Sequence, residues 1–186
     1  MLDKKETQKA LDYFRKYVIQ QSRTNLTKSK KNSSKKLYDS IKGVSKVNPN
    51  SISLYFEMLD YGEYQDKGVS GVGPAGKDRF GKPKEVVRNG KFRFGSGTGP
   101  KGGLTRGIDK WTIRRGIAPR DEKGRLISRK TLKFLIARSI YRHGIEPSLF
   151  FTKPFEKAFK NLPKELIEAY GIDAVKIYTE KLNKIW

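Results

Sequence analysis

The sequence predicts an α+β chain, and three observations lead there. Residues 3–22 repeat apolar side chains at helical spacing, residues 51–58 alternate like a strand behind a Pro-Asn turn, and the segments after residue 107 return to helical patterning. Between them lies a long glycine-rich, basic insertion. One domain over 1–186 accounts for the length, with 68–107 as an extended arm and 163–186 as a C-terminal helical segment.

In the first helix Leu11, Phe14 and Val18 fall at i, i+3 and i+7, flanked by Ala10, Tyr17 and Gln21. "RTNLTKSKKNSSKK" (23–36) reads as a polar basic connector. "LYDSIKGVSKV" (37–47) reads as a strand, with Leu37, Asp39 and Ile41 on one face and Tyr38, Ser40 and Lys42 on the other. "NPN" (48–50) is turn chemistry, and "SISLYFEM" puts Ile52, Leu54, Phe56 and Met58 on one face. Such a hairpin needs a further partner to be stable.

Residues 68–107 hold 12 of the 18 glycines and keep no hydrophobic period. A loop this long is functional or disordered. "GKFRFG" (90–95) fits a short strand or hairpin with an aromatic face. A short helix is expected over 107–117, with Asp109 near its start and Gly116 at its end. Ser128 should cap a helix through about Arg142, with Leu132, Leu135, Ile136 and Ile140 on one side and Gly144 stopping it. Pro154 stands where a helix can start. Pro163 opens another, Gly171 interrupts it, and a last helix carries Val175, Tyr178 and Leu182 at helical spacing.

The net charge is +22 and uneven. Residues 67–142 carry 21 basic and 5 acidic groups, residues 23–50 carry 8 and 1, and residues 51–66 carry none and 4. A cationic surface of this strength draws polyanions through counterion release, nucleic acid first among them. Lys82, Lys84, Arg88, Lys91, Arg93, Lys101 and Arg106, interleaved with Phe80, Phe92 and Phe94, suit a backbone-tracking arm. There is no Cys, which excludes disulfides and thiolate metal sites. No run of 18 apolar residues is present, and the charged start lacks the core of a signal peptide. The expectation is a protein used in a cytoplasm-like compartment or built into a particle there.

The acidic stretch "YFEMLDYGEYQDKG" holds Glu57, Asp60, Glu63 and Asp66 beside Lys67, an array that two-metal phosphodiester chemistry would use. The plainer reading is one helical turn with carboxylates three apart, since no further ligand but Asp39 lies close in strand order. "GVGPAG" (71–76) matches G-x-G-x-x-G, but lacks the strand before and the helix after that a phosphate loop requires. His143, the one histidine, suits the C-terminal end of a helix and forms no triad or metal set. The loop after "IDKWTIRRGIAP" is too long for a helix-turn-helix. No catalytic residue, metal or cofactor is expected.

Taken in order, Leu37, Ser40 and Ile41, then Tyr61, Tyr64 and Gly68 in "YGEYQDKG", then Pro147, Phe150, Phe151 and Pro154, resemble the motifs of tail-completion or head–tail joining (neck) proteins of tailed bacteriophages. Gly62, Gln65 and Asp66 replace the family's Ala, Val and Glu, and Val69 stands where it has Thr. "FLIARSIYRHGIEPSLFF" (134–151) is similar to the helix, Gly and Pro run of its larger members. The resemblance covers 1–68 and 128–162. It implies a small antiparallel sheet packed by the N-terminal helix, and a non-enzymatic ring of copies in the virion neck around the DNA path. The implied partners are portal, connector or tail proteins and the phosphates of genomic DNA, with no membrane.

The subunit-contact residues expected on this reading are Glu57, Asp60, Tyr61, Glu63, Tyr64, Asp66, Phe150 and Phe151. In "YGEYQDKG" the two tyrosines share a helical face, Gly62 allows close approach, and Gly68 permits the exit turn. Two readings from other classes are a free nucleic-acid-binding protein that is indifferent to sequence, and a metal-dependent nuclease.

Overall fold

A 24-residue helix, α1 (Lys5–Lys28), organises the first part of the chain. The computed structural model describes residues 4–31, 33–48, 51–73, 77, 81–82, 85–96, 103–118, 120–121 and 123–182. Thr7, Leu11, Phe14, Val18, Ser22 and Leu26 form one buried stripe on α1. The helix runs six residues past its expected end. Leu26 is fully buried, and Arg23 donates to the carbonyls of Tyr38 and Ile41 at 3.1 Å each. The basic run is therefore anchored by contacts that no local pattern announces.

A short helix, α2 (Lys36–Ser40), stands where a strand was expected. Leu37 and Ile41 are both buried, and a spacing of four satisfies alternation and helical periodicity equally. The hairpin begins afterwards: β1 (Lys42–Val47) pairs antiparallel with β2 (Ile52–Glu57), from Lys42 opposite Glu57 to Val47 opposite Ile52. Gly43 matters here, because a Cβ would lie 2.9 Å from the Phe56 ring and 3.0 Å from the Arg15 stem.

Two more helices, α6 (Thr152–Phe159) and α7 (Leu162–Leu182), complete this unit, which comprises residues 1–59 and 149–186. Leu11, Phe14, Val18 and Leu162 form one buried cluster, with Leu54, Phe56, Phe151 and Phe155 packed against it. Leu26, Leu37, Ile41 and Phe150 form a second. Phe155 meets Phe14 edge-on at 5.7 Å, and Phe151 meets Phe56 likewise at 5.4 Å, the favoured geometry for aromatic pairs. α7 runs unbroken through Gly171, the expected interruption. Glycine there costs about 1 kcal/mol relative to alanine, which the packing of Leu162, Ala169 and Asp173 offsets.

Residues 60–148 make the second unit. It holds α3 (Tyr61–Lys67), β3 (Val69–Ser70), β4 (Phe92–Arg93), α4 (Gly103–Arg114), α5 (Arg129–His143) and β5 (Gly144–Ile145). The strand order is β4-β3-β5, parallel between β3 and β4 and antiparallel between β3 and β5. The described part of the glycine-rich stretch thus joins a sheet. A Cβ on Gly90 would lie 2.6 Å from the Ser70 nitrogen. Gly144 has φ +91°, and a Cβ there would lie 2.5 Å from the Val69 carbonyl. Main chain packs on main chain, which leaves no side-chain periodicity to read.

Ser128 caps α5 as expected, accepting from the Thr131 N–H at 3.2 Å. Leu132 and Ala137 are the buried residues of α5, while Leu135, expected on the packed side, is exposed. The chain is α+β: among the described residues it has seven helices, one antiparallel two-stranded sheet and one mixed three-stranded sheet. No described helix is long and apolar enough to cross a membrane.

Candidate functional site

The acidic-aromatic turn is α3. It exposes Tyr61, Glu63 and Tyr64 and buries Gly62 and Asp66. Burial pushes the Tyr61 hydroxyl above its ordinary pKa, against the opposing pull of the Arg114 charge. Asp66 sits 3.9 Å from the Lys67 ammonium. With its carboxylate inside the unit, Asp66 offers little to a neighbouring subunit.

The turn and the basic stretch meet. Glu63 Oε1 accepts from Lys91 Nζ at 2.6 Å, and the Tyr64 ring lies 4.4 Å from that of Phe92. Phe94 packs on Tyr141 at 5.7 Å. Of the three phenylalanines interleaved with the basic residues, Phe92 and Phe94 are therefore half-buried and engaged inside the unit, and Phe80 lies outside the described residues. Arg88 and Arg93 remain exposed, with one Arg88 nitrogen donating to the Gly71 carbonyl at 3.3 Å. Lys82 is exposed as well. Lys84, Lys101 and the side chain of Arg106 lie outside the described residues.

Glu57 and Asp60 are exposed. Phe150 is not: it is 1 % exposed in the cluster with Leu26, Leu37 and Ile41, and its carbonyl accepts from Asn25 Nδ2 at 3.3 Å. Phe151 packs against both clusters. The expectation that this pair touches a neighbouring subunit is corrected for Phe150, whose ring is used up in the core.

Among the described residues no group of three or more His, Asp and Glu is gathered so as to hold a metal ion. The two described glycines at the start of "GVGPAG" hold chains together. Gly71 N–H donates to Val87 O at 3.0 Å and Gly73 N–H to Arg142 O at 2.9 Å. His143 Nδ1 lies 2.8 Å from the Ser139 carbonyl, which only accepts, so Nδ1 carries the proton.

Two surfaces escaped the sequence reading. The first is on α7. At 100° per residue, Ile167, Tyr170, Val175 and Tyr178 span about 140° of the α7 surface turned away from the buried Leu162, Ala169 and Asp173, with Tyr170 on its flank. They are 74 %, 52 %, 67 % and 67 % exposed, with only Gly171 and Ala174 between them. Reading the helix through Gly171 would have revealed this stripe. The second is a groove of about 520 Å³ along α1, lined by Lys16, Ile19, Arg23, Lys28 and Tyr38 among others, and by no carboxylate. The Arg23 guanidinium lies 5.0 Å over the Tyr38 ring.

Comparisons with protein-family models, curated proteins and solved structures find no match to this chain.

Proposed function

We propose that the chain is a structural, non-enzymatic virion protein of a tailed phage: a ring-forming connector or tail-completion subunit of the head–tail neck, set around the DNA path. The observation that carries this reading is the apolar stripe of α7. Four large side chains on one helix face, each more than half exposed, are a protein-binding surface rather than a solvated one. The order of motifs from Leu37 to Pro154 supports the resemblance to that family, and the +22 charge suits an anionic partner such as DNA. A ring also needs two unlike faces on each subunit. The acid-rich 51–66 and base-rich 67–142 segments differ in that sense. Exposed cations such as Arg88 and Arg93 would meet phosphates without reading bases.

A free nucleic-acid-binding protein would use the same cations. The burial of Phe92 against Tyr64 and of Phe94 against Tyr141 weighs against its stacking arm. Mass spectrometry of density-purified particles from the genome that encodes the chain tests the proposal. The chain should be present at a fixed, many-copy ratio to the portal protein. Its absence from complete particles overturns the reading.

A further inference from the structure

We infer that the outer edge of β2 receives the outward main chain of Arg93, on β4 of a second copy of this chain. The choice of a second copy rests on the ring reading; the edge itself does not.

The phase of the hairpin ladder follows from one bond. Asn48 N–H donates to Ser51 O at 2.8 Å, so those two residues form a hydrogen-bonded pair. Alternation then makes Lys46 with Ser53, Val44 with Tyr55 and Lys42 with Glu57 the bonded pairs. The main-chain groups of Gly43, Ser45 and Val47 point out of one edge, and those of Ile52, Leu54 and Phe56 point out of the other.

The first edge is closed by α1. Gly43 O accepts from Arg15 Nη1 at 3.2 Å, Ser45 O accepts from Gln8 Nε2 at 3.2 Å, and Val47 N–H donates to Gln8 Oε1 at 3.1 Å. The second edge has no such cover among the described residues. Nor does "ISLYFE" carry the lysine, proline or bulge that blunts an exposed edge. Three donors and three acceptors therefore stand ready for a strand.

Charge selects the incoming strand. Of the four acids in residues 51–66, Glu63 is paired with Lys91 and Asp66 is buried, which leaves Glu57, exposed at the end of β2, and the exposed Asp60 three residues on. The complement is an extended cationic segment with its own free edge. β4 is the edge of its sheet. Phe92 N–H and Phe94 N–H are bound to Gly68 O at 3.4 Å and Ser70 O at 3.0 Å, which turns the Arg93 main chain outward. Arg93 brings an exposed positive charge, whereas the exposed Lys91 is already paired with Glu63 at 2.6 Å. Joining β2 of one copy to β4 of the next uses unlike surfaces, so it repeats around a ring.

The chain has no cysteine, so introduced ones report alone. Tyr55→Cys and Asn89→Cys chains, both altered at exposed positions and both keeping the charge of Arg93, are mixed in equal amounts at the highest soluble concentration and treated with a bismaleimide. The mixed product should exceed each homogeneous product by about tenfold. Ile52→Pro removes only an outward N–H, so circular dichroism should be unchanged while the mixed product is lost. A Tyr55–Tyr55 product in excess, no mixed product, or a mixed product indifferent to Ile52→Pro each overturns the inference. Assembly mass is read in the same samples. Closed assemblies lacking the mixed product would sink the strand contact and leave the ring; the mixed product in open chains alone would do the reverse.

Discussion

The carboxylate of Asp173 caps the start of α1 from 166 residues beyond Thr7: it accepts from the Thr7 N–H at 2.9 Å and from the Thr7 hydroxyl at 2.8 Å. It also accepts from the Glu6 N–H at 3.1 Å. α1 has no side-chain cap of its own, so its first-turn donors are satisfied by α7 instead. The negative charge also sits at the positive end of the α1 dipole. This bond fixes which face of α7 turns inward, and thereby which face is left exposed.

Asp173→Ala should cost about 2–3 kcal/mol, because it leaves buried N–H groups and the Thr7 hydroxyl unpaired. Urea unfolding should show a lower midpoint with little change in slope. Thr7→Val removes the hydroxyl but keeps the N–H, so it should cost about 1 kcal/mol.

Acid should loosen the same contact. Burial alone would raise the Asp173 pKa, but the Thr7 and Glu6 donors outweigh it and hold the carboxyl below its ordinary value of 3.8. Asp12 is lowered chiefly by the Ser45 hydroxyl, which donates to it at 2.5 Å. With folded values depressed, the stabilisation is complete above the unfolded pKa near 4 and is lost as pH falls through the folded values. Thermal unfolding scanned from pH 7 to about pH 2.5 should show that decline, and Asp173→Asn should flatten it.

The glycines separate into two classes. Gly144→Ala meets the Val69 carbonyl from a left-handed backbone and should cost about 2–4 kcal/mol. Amide exchange over 69–73 and 85–94 should accelerate. Gly171→Ala meets open space inside α7 and should stabilise by about 0.5–1 kcal/mol. Equal effects at both positions would contradict the sheet described for residues 69–145.

Charging the α7 stripe should spare the fold and harm assembly. Val175→Glu with Tyr178→Glu alters two side chains that are each 67 % exposed. The melting temperature should move by no more than about 4 °C, while incorporation into particles is lost. Unchanged incorporation would remove α7 from the interface.

Much of the fold was legible where side chains carry the period. Leu11, Phe14 and Val18 marked α1, "NPN" marked the hairpin, and Ser128 marked α5. The misses share a cause, which is contact between distant parts. Leu37 and Ile41 fit helix and strand alike, and only the core decided between them. The end of α1 depends on Arg23 reaching the carbonyls of Tyr38 and Ile41. The pairing in the β4-β3-β5 sheet depends on glycine backbones that leave no pattern, although β4 itself falls within the short strand or hairpin expected over 90–95. Of the site, α3 was visible in "YGEYQDK", whereas its bond from Glu63 to Lys91, 28 residues away, was not. The α7 stripe was hidden because a break was expected at Gly171, where the helix runs on.

Reconstruction of the neck of a complete particle, without imposed symmetry, bears most directly on the central claim. It should reveal a closed ring of this chain around the DNA, with α7 stripes covered and β2 edges paired. A neck built without the chain, or single copies with α7 facing solvent, would contradict it.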